Sequence, residues 1–374
     1  MAQSEHDDAK HPVGGPRYCA VRPTSPIALP AGLVADRVSA IVLMAHKWAN
    51  GTLLNYYFFD DTQRDGETVT DENGAQTWVT WVGAKAQQDV VRAAFKAWKD
   101  VGIGLDFRET NNRQEAEVRI GFMRGDGAWS YIGTQILDIA ANARTMNFGW
   151  DLRGADGADT ALHEIGHTLG LPHEHQNPNA GIVWNEEAVY ADLAEPPNKW
   201  KREKTFHNII RKIDPDTVQG SSWDPDSIMH YPFKAGLIAE PAKYASGLTP
   251  AGGLSQRDLT WIRTFYPSIA PAGVRTLTPA VSAPLDVPVG QQADFVFAPV
   301  ASRKYSIQTF GECDTQIVLF EEVDGVWRYL AADDDSGEER NALLVSRMRA
   351  GRRYAVRVRL KFDSGGTPPA VMLW

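Results

Sequence analysis

Residues 163–175, His-Glu-Ile-Gly-His-Thr-Leu-Gly-Leu-Pro-His-Glu-His, constrain this chain more than any other stretch. Four of the chain's nine histidines fall within these thirteen positions. Ala161, Leu162, Ile165 and Leu169 recur at helical spacing, so 160–169 is expected to be a helix. His163 and His167 then lie one turn apart on one face. Gly170 tolerates the left-handed conformation that ends a helix, and Pro172 keeps it from resuming. The turn lets His173 swing back toward the same point. Three neutral imidazoles leave one coordination position of a zinc ion open, as in catalytic rather than closed structural sites. Glu164, next to the first ligand, is placed to take a proton from a water that the metal acidifies. A helix carrying surface histidines by chance is the competing reading, and Gly170 and His173 at these offsets argue against it.

His-Glu-x-x-His-x-x-Gly-x-x-His is the long metzincin signature. A second stretch, Trp223-Asp-Pro-Asp-Ser-Ile-Met-His-Tyr231, supplies the methionine turn of that group. Together with Trp48-Ala-Asn-Gly-Thr-Leu-Leu-Asn-Tyr-Tyr-Phe-Phe59, these residues resemble the astacin family of zinc endopeptidases. The resemblance implies an α+β catalytic domain, a twisted mixed sheet with a zinc-binding helix, that hydrolyses protein or peptide substrates. It makes His163, His167 and His173 the zinc ligands, Glu164 the general base and Met229 the floor of the site. Tyr231 matches the tyrosine that can bind the resting zinc and then stabilise the oxyanion. Glu174 matches the glutamate that pairs with the new N-terminus in mature astacins. An extracellular location is implied too, although the start of the sequence has no apolar region of a signal peptide. The alternative is a binding or adhesion protein that keeps a metzincin scaffold without turnover. The intact Glu164 and ligands speak against it.

A net charge of −9 makes nucleic acid an unsuitable partner. No run of eighteen apolar residues is present, so no membrane span is expected. Cys19 and Cys313 are the only cysteines and cannot form a disulfide framework. Animal astacins carry two disulfides in the catalytic domain, so the resemblance is to a bacterial-type relative.

Four segments are expected. Residues 1–46 form a leading segment, read as a propeptide, with a helix over 33–46. In it, Gly15-Pro-Arg-Tyr-Cys-Ala-Val-Arg-Pro23 loosely resembles the cysteine switch of matrixins, and Cys19 has two readings. Its thiolate fills the open position on zinc in a latent form, or it is a small structural cysteine. Residues 47–267 form the protease domain, with a hairpin insertion over 60–77, a helix over 84–101, strands over 105–109, 117–122, 129–134 and 145–150, and helices over 185–193 and 255–266. The substrate-binding edge is expected within 125–135. His175 and His230 are candidates to support the ligands from behind. The mixed basic and aromatic stretch 199–212 raises a choice between an acidic-substrate site and a solvated face. Residues 268–284 read as a Pro- and Ala-rich linker. Residues 285–374 read as an all-β sandwich that resembles the pre-peptidase C-terminal domain. There Asp333, Asp334 and Asp335 either bind Ca²⁺ or form a solvated acidic turn.

Overall fold

Strand β1 (Leu53–Phe58) is apolar on both faces, and it is accordingly buried along nearly its whole length. A computed structural model of the chain describes residues 16–22, 46–48, 50–61, 64–70, 73–213, 222–267, 275–338, 340–366 and 368–374. The helix expected over 33–46 falls outside these residues except at His46. After β1, β2 (Gly66–Thr70) and β3 (Gln76–Thr80) form a hairpin separate from the main sheet, and its second strand runs past the expected end at 77. Helix α1 (Lys85–Asp100) buries Val91, Ala94, Phe95 and Trp98 on one side. Then β4 (Asp106–Glu109), β5 (Val118–Gly121), β6 (Trp129–Ser130) and β7 (Met146–Asn147) complete a sheet of order β4-β1-β5-β7-β6.

Every neighbouring pair in that sheet is parallel except β6 with β7. β6 is thus a short antiparallel edge, the kind that accepts an extended peptide. It lies where the substrate edge is expected, but it stops at Ser130, because the chain turns into a 3₁₀ segment from Gly133 to Asp138. Helix α2 (Gly157–Thr168) packs beneath the sheet. The Trp98 indole of α1 donates to the Leu162 carbonyl of α2 at 3.0 Å, fixing the two helices together over a shared core.

Past α2 come β8 (Val183–Trp184), α3 (Glu186–Ala194), the single turn α4 (Arg202–Thr205), β9 (Ile238–Glu240) and α5 (Gln256–Phe265). A capping box starts α5: the Ser255 hydroxyl accepts from the Asp258 N–H, and the Asp258 carboxylate accepts from the Ser255 N–H. This lower half has its own core of Ile182, Trp184, Leu193, Trp200, Ile209 and Phe233.

The C-terminal part is a sandwich. One sheet runs β10-β12-β17-β14-β15 and the other β11-β18-β13-β16. The strands are β10 (Arg275–Thr276), β11 (Ala283–Pro284), β12 (Gln292–Phe297), β13 (Arg303–Phe310), β14 (Cys313–Val323), β15 (Val326–Asp333), β16 (Leu343–Met348), β17 (Tyr354–Asp363) and β18 (Ala370–Leu373). Between the sheets Phe295, Ile307, Ile317, Val356, Val358 and Val371 are fully buried. Two features differ from the sequence reading. The stretch read as linker already contains β10 and β11, which pair with β12 and β18 and bring Leu277 and Leu285 into the core. Edge pairing makes strands of Pro- and Ala-rich segments that composition marks as linker. Strand β15 also reaches Asp333, the first residue of the acidic stretch that could be read as a solvated turn.

The outer face of the five-stranded sheet rests on the beginning of the protease domain. Arg359 donates to the Trp48 carbonyl at 2.6 Å and Arg357 to the Asn50 carbonyl at 3.1 Å, while Phe320 lies over Gly51. Gly51 has φ of +97°, and a Cβ there would overlap the Phe320 ring. The seam drawn between residues 46 and 47 falls inside this buried region. The His46 carbonyl accepts from the Thr134 N–H at 3.1 Å, and Lys47 lies 3.4 Å over the Phe265 ring.

Candidate metal centre and active site

Helix α2 carries His163, Glu164 and His167 into the molecule, all three buried. Gly166, on the same helix, leaves room for the Met229 sulphur, and a Cβ there would overlap it. Gly170 has φ of +90°, the left-handed cap that turns the chain toward His173. Leu171 and the methionine turn then orient the imidazoles. The Nδ1–H of His163 donates to the Ile228 carbonyl and that of His167 to the Leu171 carbonyl, each at 2.8 Å. Each ring is thereby fixed in the tautomer that leaves Nε2 bare and pointing inward.

Cys19 enters from the leading segment. Its sulphur lies 3.4 Å from His167 Nε2 and 3.5 Å from Glu164 Oε2. One donor atom each from Cys19, His163, His167 and His173 lies within 4.8 Å of the others, and all four residues are buried. His163 Nε2 and Glu164 Oε1 have no hydrogen-bond partner among the described residues. Leaving such buried atoms unpaired is costly unless something else meets them. A nitrogen and sulphur donor set with tetrahedral numbers and an unpaired inward Nε2 fits Zn²⁺. Burial holds His163, His167 and His173 well below the ordinary histidine range, so they are neutral, the form that ligates. Burial pushes the Glu164 carboxyl up to about 8 and the Cys19 thiol well up, and a bound cation would reverse both.

Tyr231 closes the site. Its hydroxyl is 2.5 Å from His173 Nε2 and donates to the Cys19 carbonyl at 2.8 Å. Glu174 lies off the metal cluster. Its Oε1 accepts from the Asp224 N–H and the Asn177 side chain, at 2.9 and 3.1 Å, and burial pushes its carboxyl up to about 7. His175 stacks on His173 at 5.1 Å and its Nε2–H donates to the Asn208 carbonyl, while the His230 Nδ1–H donates to the Tyr231 carbonyl.

Two residues important to the site have roles there that their sequence motifs do not state. Asp258 accepts from Ser227 Oγ at 2.6 Å and from the Ile228 N–H at 2.8 Å, and so holds the turn whose carbonyl orients His163. Tyr18 fills a pocket beside Cys19. Its glycine- and proline-rich surroundings in the sequence carry no signal of that pocket.

Far from this centre, the acidic cluster of the sandwich is Asp314, Asp334 and Asp335, with Asp314 in place of the Asp333 expected from sequence. Asp333 instead accepts from the Ser336 and Leu343 N–H groups. The Lys361 ammonium lies 3.0 Å from Asp314 and 3.1 Å from Asp334, so the cluster already holds a cation from the chain itself.

Comparison with known proteins agrees with this geometry. Residues 79–243 match the model of the astacin peptidase family. Astacin-like metalloprotease toxin 1 of Loxosceles intermedia is 23% identical over 204 residues, covering 52% of this chain and 70% of the toxin. Tolloid-like protein 1 of Mus musculus is 27% identical over 194 residues, which is 48% of this chain but 17% of that protein. The structure of myroilysin is similar with a TM-score of 0.50 and 29% identity, covering 60% of this chain and 98% of that one. No helix among the described residues is long and apolar enough to cross a membrane. Family match over residues 79–243, fold and site agree that the catalytic domain is astacin-like, a metalloendopeptidase domain similar to those of the astacin family.

Proposed function

We propose that this chain is a zinc-dependent endopeptidase made in a latent form, with Cys19 as the residue that blocks its metal. The observation that carries the reading is the convergence of the Cys19 sulphur with the three histidines, 3.4 Å from His167 Nε2. His163, His167 and His173 would hold the ion. Zinc supplies a Lewis acid that acidifies water and polarises a peptide carbonyl. Glu164 takes the proton from the attacking water and passes it to the leaving amine. Tyr231 already donates to one peptide carbonyl in the cleft, that of Cys19, which supports its role as donor to the oxyanion. Met229 and Gly170 shape the site, and Glu174 is available to a new N-terminus. In the same reading the enzyme acts outside the cell on proteins or peptides, and its sandwich is a pre-peptidase C-terminal-type module.

The test compares cleavage of an unfolded protein by the zinc-loaded full chain, by Cys19→Ala and by Glu164→Ala. Cys19→Ala is expected to cut on the order of tenfold faster than the unprocessed chain or more, and Glu164→Ala to keep zinc and lose turnover. A full chain already as fast as Cys19→Ala removes the latency. Zinc binding with no cleavage by any form favours the binding-protein alternative.

A further inference from the structure

Residues 16–22 lie in the cleft, and the Ala20 N–H donates to the Ala128 carbonyl, one residue before β6, at 3.3 Å. The leading segment therefore meets the enzyme at the edge where a peptide would lie. Cys19 is at the metal, so Tyr18 is the side chain next to the position of chemistry. It is 3% exposed. Its ring stacks on Phe233 with centroids 5.8 Å apart, and lies 5.1 Å from Tyr231 and 6.2 Å from Trp200. At the far end its hydroxyl donates to the Pro232 carbonyl at 2.9 Å.

We propose that the pocket filled by Tyr18 is the specificity subsite beside the scissile bond, and that it selects an aromatic side chain, tyrosine foremost. This deepens the peptidase reading and rests on it. The chemistry of the walls decides the class. Three aromatic rings offer apolar area and stacking to a flat side chain, and a short aliphatic one would leave most of that area unfilled. The one polar group met at the base is a carbonyl, which rewards a phenol O–H and repels a carboxylate. Burial, and after it the charge of Asp192, pushes the Tyr18 hydroxyl well up; Asp192 is itself paired with Lys234 at 2.5 Å, so burial is what an acidic substrate side chain would chiefly meet. The Lys204 ammonium lies 4.9 Å over the Trp200 ring and its charge reaches Cys19, but it does not pair with the Tyr18 hydroxyl. The basic and aromatic stretch around it thus contributes one of its aromatic residues, Trp200, to the pocket.

The test uses the full chain with Tyr18→Ala and Cys19→Ala, which empties the pocket without removing the leading segment. In a Glu164→Gln version, loaded with zinc, calorimetry measures binding of blocked peptides of sequence Gly-Pro-Arg-X-Ala-Ala-Val-Arg-Pro with X as Tyr, Phe, Ala or Asp. Tyr and Phe are expected to bind on the order of 10–100-fold more tightly than Ala, with Asp weakest. Trp200→Ala in the same background is expected to remove most of that difference, with Phe233→Leu as the second variant should Trp200→Ala not fold. The version with Glu164 intact then digests a mixture of natural peptides, where Tyr and Phe should be enriched at one position flanking the cut. Equal binding of the four peptides overturns the pocket whether or not the enzyme cuts. Cleavage with acidic or no enrichment overturns it and leaves the peptidase intact. Tyrosine-dependent binding without cleavage keeps the pocket and sinks the peptidase reading.

Discussion

Replacing Asp258 by alanine tests whether the methionine turn, and through it the metal, is held by one buried carboxylate. Asp258 accepts three hydrogen bonds: from Ser227 Oγ at 2.6 Å, the Ile228 N–H at 2.8 Å and the Ser255 N–H at 2.9 Å. Alanine leaves these donors without their acceptor, at about 1–3 kcal/mol for each that stays dry. Ser255 Oγ still caps the residue-258 N–H, so one end of the capping box survives. The expected loss is about 4 kcal/mol in the protease domain, and roughly half that for Asp258→Asn, which keeps an acceptor oxygen. The second effect is at the metal. Ile228 donates its N–H to Asp258 and accepts at its carbonyl from the His163 Nδ1–H at 2.8 Å. A loosened turn frees the imidazole to rotate, and loss of such a supporting contact weakens metal binding about 10–100-fold. Two measurements are needed: zinc affinity by competition with a chromophoric chelator, and melting with and without zinc. A tenfold weaker site shows as about 1.4 kcal/mol less stabilisation by saturating zinc. Equal destabilisation of apo and zinc-loaded protein, with zinc affinity unchanged, would refute the route from Asp258 to His163.

Three further outcomes follow from the sandwich and its seam. Arg359→Met removes the 2.6 Å donation to the Trp48 carbonyl and should split a joint calorimetric transition into separate ones for the two domains, at a cost of about 2–3 kcal/mol. Lys361→Met leaves Asp314, Asp334 and Asp335 without their internal cation and should lower the sandwich's stability by about 3–5 kcal/mol, part of which millimolar Ca²⁺ restores in a melting assay. The wild-type melt should be unmoved by a calcium chelator in the same assay. Burial and the nearby Lys361 charge lower the His46 value from 6.5 to about 4, so the unfolded chain binds more protons between those values. Stability from this group is complete above pH 6.5 and is lost as pH falls toward 4, by at most about 3 kcal/mol. A His46→Gln chain should show a correspondingly flatter melting profile over that range.

What could be read in one dimension was what is local. Three ligands within eleven residues need only a helix, a glycine and a turn, so their spacing already encodes their geometry. The hairpin, α1 and α5 were legible for the same reason: turn dipeptides, a 3.6-residue apolar period and a capping box act within a few positions. Contacts across long separations were not. Cys19 and His167 are 148 residues apart, and the chemistry of a thiol suggested the pairing while nothing in the spacing placed it. Lys361 was invisible as the partner of the acidic cluster because two strands of a sandwich had to pair first to bring it there.

The same distinction explains why a segment that looks generic carries the most specific information. The leading stretch has the Pro, Gly and charge of a loose chain, and by composition alone Tyr18 is one aromatic among many. Its meaning comes from where it ends up, with its amide on Asn198 at 3.2 Å, its ring among Trp200, Tyr231 and Phe233, and its hydroxyl on the Pro232 carbonyl. Further along, Arg22 pairs with Asp126 at 2.8 Å and lies 3.8 Å over the Trp129 ring, at the edge strand itself. The Cys19 thiol among the three histidines therefore does not stand alone: it is flanked on both sides by anchored side chains, one aromatic and buried, the other ionic and half-exposed. Exposed ion pairs contribute little, about 0–1 kcal/mol, whereas burying an aromatic ring contributes several times that. The hold of the leading segment consequently rests more on Tyr18 than on Arg22, and a chain that lost the ring would open more readily than one that lost the guanidinium.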